Sequence, residues 1–107
     1  MPNIEKYALT AVVAAAATFA GAAVLAQDGA ELYASKTCVA CHGKDGNTPL
    51  MPEYPKIAGQ NAAYAIQQMR DIKSGERANA NSPAMAGIMH MVSDEEIVAI
   101  AEYLESL

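Results

Sequence analysis

The chain has 107 residues, 52% of them hydrophobic, and a net charge of −5. Ten of its 23 alanines lie in residues 1–26; the other 81 residues hold no Trp, no Phe and four Tyr, with Leu, Ile and Val at about 16%. Such an acidic segment lacks the clustered cations that phosphate binding needs, which excludes nucleic acid as a partner. It is also too short and too poor in large apolar side chains for a self-sufficient core of normal size, so either it does not fold or something other than amino acid fills its centre.

In chain order, residues 1–26 come first. MPNIEKY carries Lys6, and residues 7–27 contain no charged side chain. The length suits a bilayer span or a generous signal-peptide apolar region, and Val24-Leu25-Ala26 offers the small residues a signal peptidase prefers, with cleavage before Gln27. Whether this segment is a cleaved signal or a retained anchor, residues 27–107 end up outside the cytoplasm, in the periplasm. Asp28 is placed to cap a first helix through Glu31, Leu32 and Tyr33 that ends near Lys36 or Thr37. Residues 43–60, with three Gly and three Pro, read as a loop of fixed turns. Asn61 caps a helix whose apolar face is Ala62, Ala65, Ile66, Met69 and Ile72, closed by Gly75. Residues 74–83 form a second polar loop. Ser93 and Glu96 make a capping box for a last helix with Ile97, Ile100, Ala101 and Leu104 on one face. No alternating β-branched stretch appears, so residues 27–107 read as one small all-α domain.

The chemistry sits at Cys38-Val39-Ala40-Cys41-His42. Two cysteines at i and i+3 project to the same side of a helical turn, where each thiol can form a thioether with one vinyl group of a haem. The adjacent His42 is then carried beneath the porphyrin as the proximal iron ligand. A thioredoxin-like redox pair needs a preceding strand and a βαβ setting that are missing. A zinc site would have to use Cys38, Cys41, His42 and His90, and consecutive Cys41 and His42 converge poorly on one tetrahedral ion. A simple disulfide in an exported chain is the third alternative. A buried porphyrin would also supply the bulk that Trp and Phe do not.

From residue 29 onward the chain resembles class I c-type cytochromes, both the short periplasmic mono-haem kind and single halves of the di-haem cytochromes c. The matching pieces are GAELYASKTCVACHG at 29–43, YPKIAGQ at 54–60, QQMRDIKSGER at 67–77, and MAGI followed by VSDEEIVAIAEYL at 92–104. The resemblance implies about four helices around one covalently attached haem c, with the first and last helices crossing at Gly29, Leu32, Tyr33 and Tyr103. Gly29, having no Cβ, would allow the close approach.

Candidates for the sixth iron ligand are Met51, Met69, Met85, Met89, Met91 and His90. Met69 lies on an apolar helix face and Met51 is close in sequence to His42. The resemblance places the axial methionine at Met85, after Pro83 at the end of a flexible loop, with Met89 and Met91 next in order. It also implies that the carbonyl of Pro55 accepts a hydrogen bond from His42. Ile57, Ala58 and Gly59 would lie against the porphyrin, with Gln60, Tyr64 and Arg77 as polar neighbours and Arg77 offsetting a propionate. Val92 stands where the family more often has Leu, a change of packing volume. The expected function is one-electron transfer between redox protein partners, with basic docking patches drawn to the acidic surface and no enzymatic activity. Competing readings are a haem subunit of a periplasmic dehydrogenase complex and a haem enzyme or gas sensor with an open iron site.

Overall fold

The computed structural model describes residues 27–107; the N-terminal segment read as signal or anchor lies outside them. Five helices follow in order: α1 (Gly29–Ser35), α2 (Cys38–His42), α3 (Ala62–Ser74), α4 (Ser82–Met89) and α5 (Asp94–Glu105). Among the described residues there is no strand, in keeping with the all-α expectation.

Most helix ends form where polar side chains meet orphan backbone groups. Asp28 Oδ1 accepts from the amides of Ala30 at 3.0 Å and Glu31 at 3.2 Å. Asn61 Oδ1 accepts from Ala63 N at 3.1 Å, and Gly75, at φ +92°, closes α3. Ser93 Oγ accepts from Glu96 N at 3.1 Å while Glu96 Oε1 accepts from Ser93 N at 2.8 Å, the reciprocal capping box expected at α5. The N-terminus of α3 gains a second acceptor from the far end of the domain, since Glu105 Oε2 takes the Ala62 amide at 2.9 Å.

Two features depart from the sequence reading. The haem-motif residues form their own short helix, separated from α1 by Thr37, a non-glycine residue at φ +66°. Residues 82–89 are helical rather than loop, so Met85 sits in α4 and not at a loop end, and the helix count is five rather than about four. Pro83 suits a first helical turn because its φ is already set and its missing N–H would have had no intrahelical partner.

The core sits on α5. Ile97, Ile100, Ala101 and Leu104 are all buried there, facing Tyr33 of α1 and Ala65, Met69 and Ile72 of α3, with Met89 and Val92 completing the cluster. Helix α5 packs on α1 and α3, and α3 also packs on α4. Where α1 crosses α5, a Cβ on Gly29 would overlap the Ala99 carbonyl oxygen and come within 2.7 Å of Tyr103 Cβ. Tyr33 and Tyr103 stack across this crossing with ring centroids 5.7 Å apart, tilted by 52°.

Candidate haem site

Helix α2 presents Cys38 and Cys41 one turn apart, both half-buried with free thiols, and carries His42 at its last position, 8% exposed. Burial pushes the Cys38 thiol, before any haem is attached, up to about 11. The helix stops at Gly43, whose φ of +88° and position against the Thr48 carbonyl leave no room for a side chain. Tyr33 holds this stop from the core side: its hydroxyl donates to the Gly43 carbonyl at 2.6 Å.

The loop after α2 is pinned rather than loose. Leu50 N donates to Cys41 O at 3.0 Å, and the Gly46 carbonyl accepts from Ile57 N at 2.8 Å and Ala58 N at 3.0 Å. Gly59 N donates to Leu104 O at 2.7 Å, fastening the loop to α5. This return delivers the Pro55 carbonyl to the His42 ring, with Nδ1 and O 3.0 Å apart. A carbonyl oxygen only accepts, so Nδ1 carries the proton and Nε2 keeps its lone pair. This contact fixes the ring and tautomer in the manner that metal ligation by Nε2 requires.

The donor set fits a haem c. Two thiols on one helical turn suit two thioether links, and the buried imidazole offers a lone pair beside them. Among the described helices α2 approaches only α1 within 8 Å between Cα atoms, so the backbone of α4, with Met85, stands off from that of His42. Met85 is half-buried against the core cluster that Cys38 and Ile57 also touch. Of the other methionines, Met69 and Met89 are buried in the core, while Met51 and Met91 are exposed, as is His90.

The remaining residues expected at the site fall into two groups. Ile57 packs against the core edge beside Cys38. Gln60, Tyr64 and Arg77 have other surroundings: Gln60 Oε1 accepts from Asn61 N at 2.9 Å, Tyr64 is 54% exposed, and Arg77 Nη1 donates to Gln68 Oε1 at 3.1 Å. Gln68 and Tyr33 were not anticipated as supports. Their hydrogen bonds join residues whose spacing carries no local signature. A concavity of about 540 Å³ beside Asp28, Glu95 and Glu102 contains none of the site residues.

The family model for cytochrome c matches residues 26–107. The chain belongs to the cytochrome c family. It is 45% identical to cytochrome c4 of Pseudomonas aeruginosa over 69 residues, which is 64% of this chain and 32% of that one. It is 41% identical to cytochrome c-554(548) of Halomonas halodenitrificans over 70 residues, 65% of this chain and 83% of that one. Among solved structures, the reduced recombinant cytochrome c4 of Pseudomonas stutzeri superposes with a TM-score of 0.65 at 27% identity, covering 77% of this chain and 47% of that one. The chain thus spans about a third of the cytochrome c4 sequences it matches and resembles one half of a di-haem cytochrome. Membership of the cytochrome c family implies a covalently bound haem c, and Cys38 and Cys41 fit its attachment motif.

Proposed function

We propose that this chain is an exported mono-haem electron carrier, passing one electron at a time between larger redox protein complexes in the periplasm and catalysing no reaction of its own. The haem supplies an iron that cycles between Fe(III) and Fe(II). Cys38 and Cys41 would anchor it, and His42 Nε2 and Met85 Sδ would hold its iron. The observation that carries this reading is the 3.0 Å contact of His42 Nδ1 with Pro55 O, which leaves Nε2 as the only ring nitrogen able to ligate. The choice of Met85 rests on the family resemblance; Met51 and Met91 are exposed and Met69 and Met89 lie within the core, while Met85 is half-buried at the core's edge. An imidazole and a thioether together would favour the ferrous state and leave no position for a substrate, which suits transfer rather than substrate chemistry.

Ile57 and Gly59 would lie on the porphyrin face, Gln60 beside it, and Arg77 near a propionate. Among the described residues no helix is long and apolar enough to cross a membrane. If residues 1–26 are retained they tether the domain; if cleaved they release it. With a net charge of −5, the chain docks fastest on basic patches at low salt.

The test is spectroscopic. Intact mass of the native protein reports one attached haem and the N-terminus together. The ferric protein shows a near-infrared sulfur-to-iron band that Met85→Ala abolishes, and the ferrous variant gains carbon monoxide binding that the parent lacks. Carbon monoxide binding by the parent at neutral pH, or a band that survives Met85→Ala, overturns the ligand assignment.

A further inference from the structure

The domain of residues 27–107 has only six Lys and Arg, and three of them, Lys36, Arg70 and Lys73, converge on residues 91–96, the turn that joins α4 to α5 and the first turn of α5. Two of these cations bind backbone rather than carboxylate. Lys36 Nζ, from the C-terminal end of α1, donates to Met91 O at 2.9 Å. Lys73 Nζ, from the last turn of α3, donates to the next carbonyl, Val92 O. Both lysines are half-buried. Lys36 also reaches Glu96 Oε1 at 3.5 Å, and Arg70 grips both Asp94 oxygens at 2.7 Å.

An ammonium bound to a carbonyl is a charge-assisted hydrogen bond, stronger than a neutral one. Here two of them act from two different helices on consecutive peptide groups. They tie the turn that follows α4 to α1, which leads into the haem motif, and to α3, which packs on α4. The polar N-terminal end of α4 is less secure, for Asn81 makes no side-chain cap there. The helix packs along α3, and the two lysines add a tether to the turn that follows its C-terminal end.

We infer that Lys36 and Lys73 are positioning residues for the axial methionine. By clamping the carbonyls of Met91 and Val92 they hold α4, and with it Met85, at a fixed distance from the iron and slow the escape of the thioether. This rests on Met85 being the distal ligand. Neither lysine touches the haem in this role; each acts through the helix it anchors.

The experiment displaces the sulfur from the full-length ferric holoprotein with imidazole and follows the near-infrared band. Lys36→Met and Lys73→Met keep the aliphatic stem and remove the charge. Each is expected to speed displacement and lower the half-saturating imidazole concentration by about three- to ten-fold, a fraction of one charge-assisted hydrogen bond. Lys73→Arg, which keeps the donor, restores the parental value. Glu105→Gln weakens the cap on α3, far from the turn, and measures what general loosening does. It lowers thermal stability while leaving displacement within about two-fold. Displacement unchanged in both lysine variants overturns the inference, as does an equal acceleration in Glu105→Gln. Met85→Ala, recorded in parallel, separates the two claims: loss of its band with unaltered lysine variants defeats the clamp alone, whereas a band that persists defeats the ligand assignment and the clamp with it.

Discussion

Replacing Tyr33 by Phe isolates the hydrogen bond that holds the end of α2. The ring stays, so its packing on Tyr103 and its place in the core are kept, and no cavity opens. What is lost is the 2.6 Å bond to the Gly43 carbonyl, whose remaining partner is Gly46 N at 3.3 Å. One net hydrogen bond plus a carbonyl left poorly partnered costs about 1–2 kcal/mol. Guanidinium titration of the holoprotein at pH 7 should show this as a lower midpoint with an unchanged slope. Burial, the leading cause, pushes the Tyr33 hydroxyl up from 10.0 to about 12. An acid whose folded-state value is raised binds its proton more tightly when folded, so its contribution is complete below pH 10 and drains away as pH climbs through 12. The ceiling for that loss is ~2.7 kcal/mol, and solvent screening of a part-buried hydroxyl reduces it to about 1 kcal/mol. The stability gap between parent and variant should therefore narrow by about 1 kcal/mol between pH 10 and 12. Equal stabilities at pH 7, or a gap constant across the alkaline range, would refute the reasoning.

Gly29→Ala pushes a methyl group into the Ala99 carbonyl and should cost about 1–3 kcal/mol in thermal melts, even though alanine is the better helix former. Ile100, 2% exposed on α5, has no solvent to collapse toward, and Ile100→Ala should lower the unfolding free energy by about 2–5 kcal/mol in denaturant. Paired hydrogen bonds from Arg70 hold the Asp94 carboxyl below its ordinary 3.8. That contribution is present above the ordinary carboxylate range and disappears as pH falls through the lowered value, so acid titration of Arg70→Met should show a shallower loss of stability below pH 4 than the parent, the small deficit of the variant at neutral pH closing in acid.

Helices α3 and α5 were legible because their ends are written in side chains: Asn61 and Gly75 bound one, Ser93 and Glu96 start the other, and the apolar spacing between them repeats at the helical period. The residues Ile97, Ile100, Ala101 and Leu104 expected on one face are the buried ones. Helix α4 was missed for the opposite reason. Its Asn81 makes no cap bond, Gly87 interrupts it, and Ala84 to Met89 are apolar or small on every side, so no period stands out. The end of α1 near Lys36 was legible, but the separate helix α2 was not, since the left-handed position before it is filled by Thr37 rather than by glycine. At the site, Cys38, Cys41 and His42 are contiguous and speak through their spacing. The approach of Pro55 to His42 spans 13 residues and came only from family resemblance. The grip of Lys36 and Lys73 on backbone carbonyls had no signature at all, because a lysine that anchors a turn is spelled like one that faces water.

The left-handed joint at Thr37 has one more consequence. It resets the rotation of the chain about its axis, so that α1 turns Tyr33 inward while the turn after it aims the two sulfurs and the imidazole in a direction of their own. A residue added to or removed from the helical turn on either side of the joint would swing that trio by about 100° relative to the core. The identity of the hinge residue is therefore negotiable, and glycine would sit there with less strain, whereas its length is not.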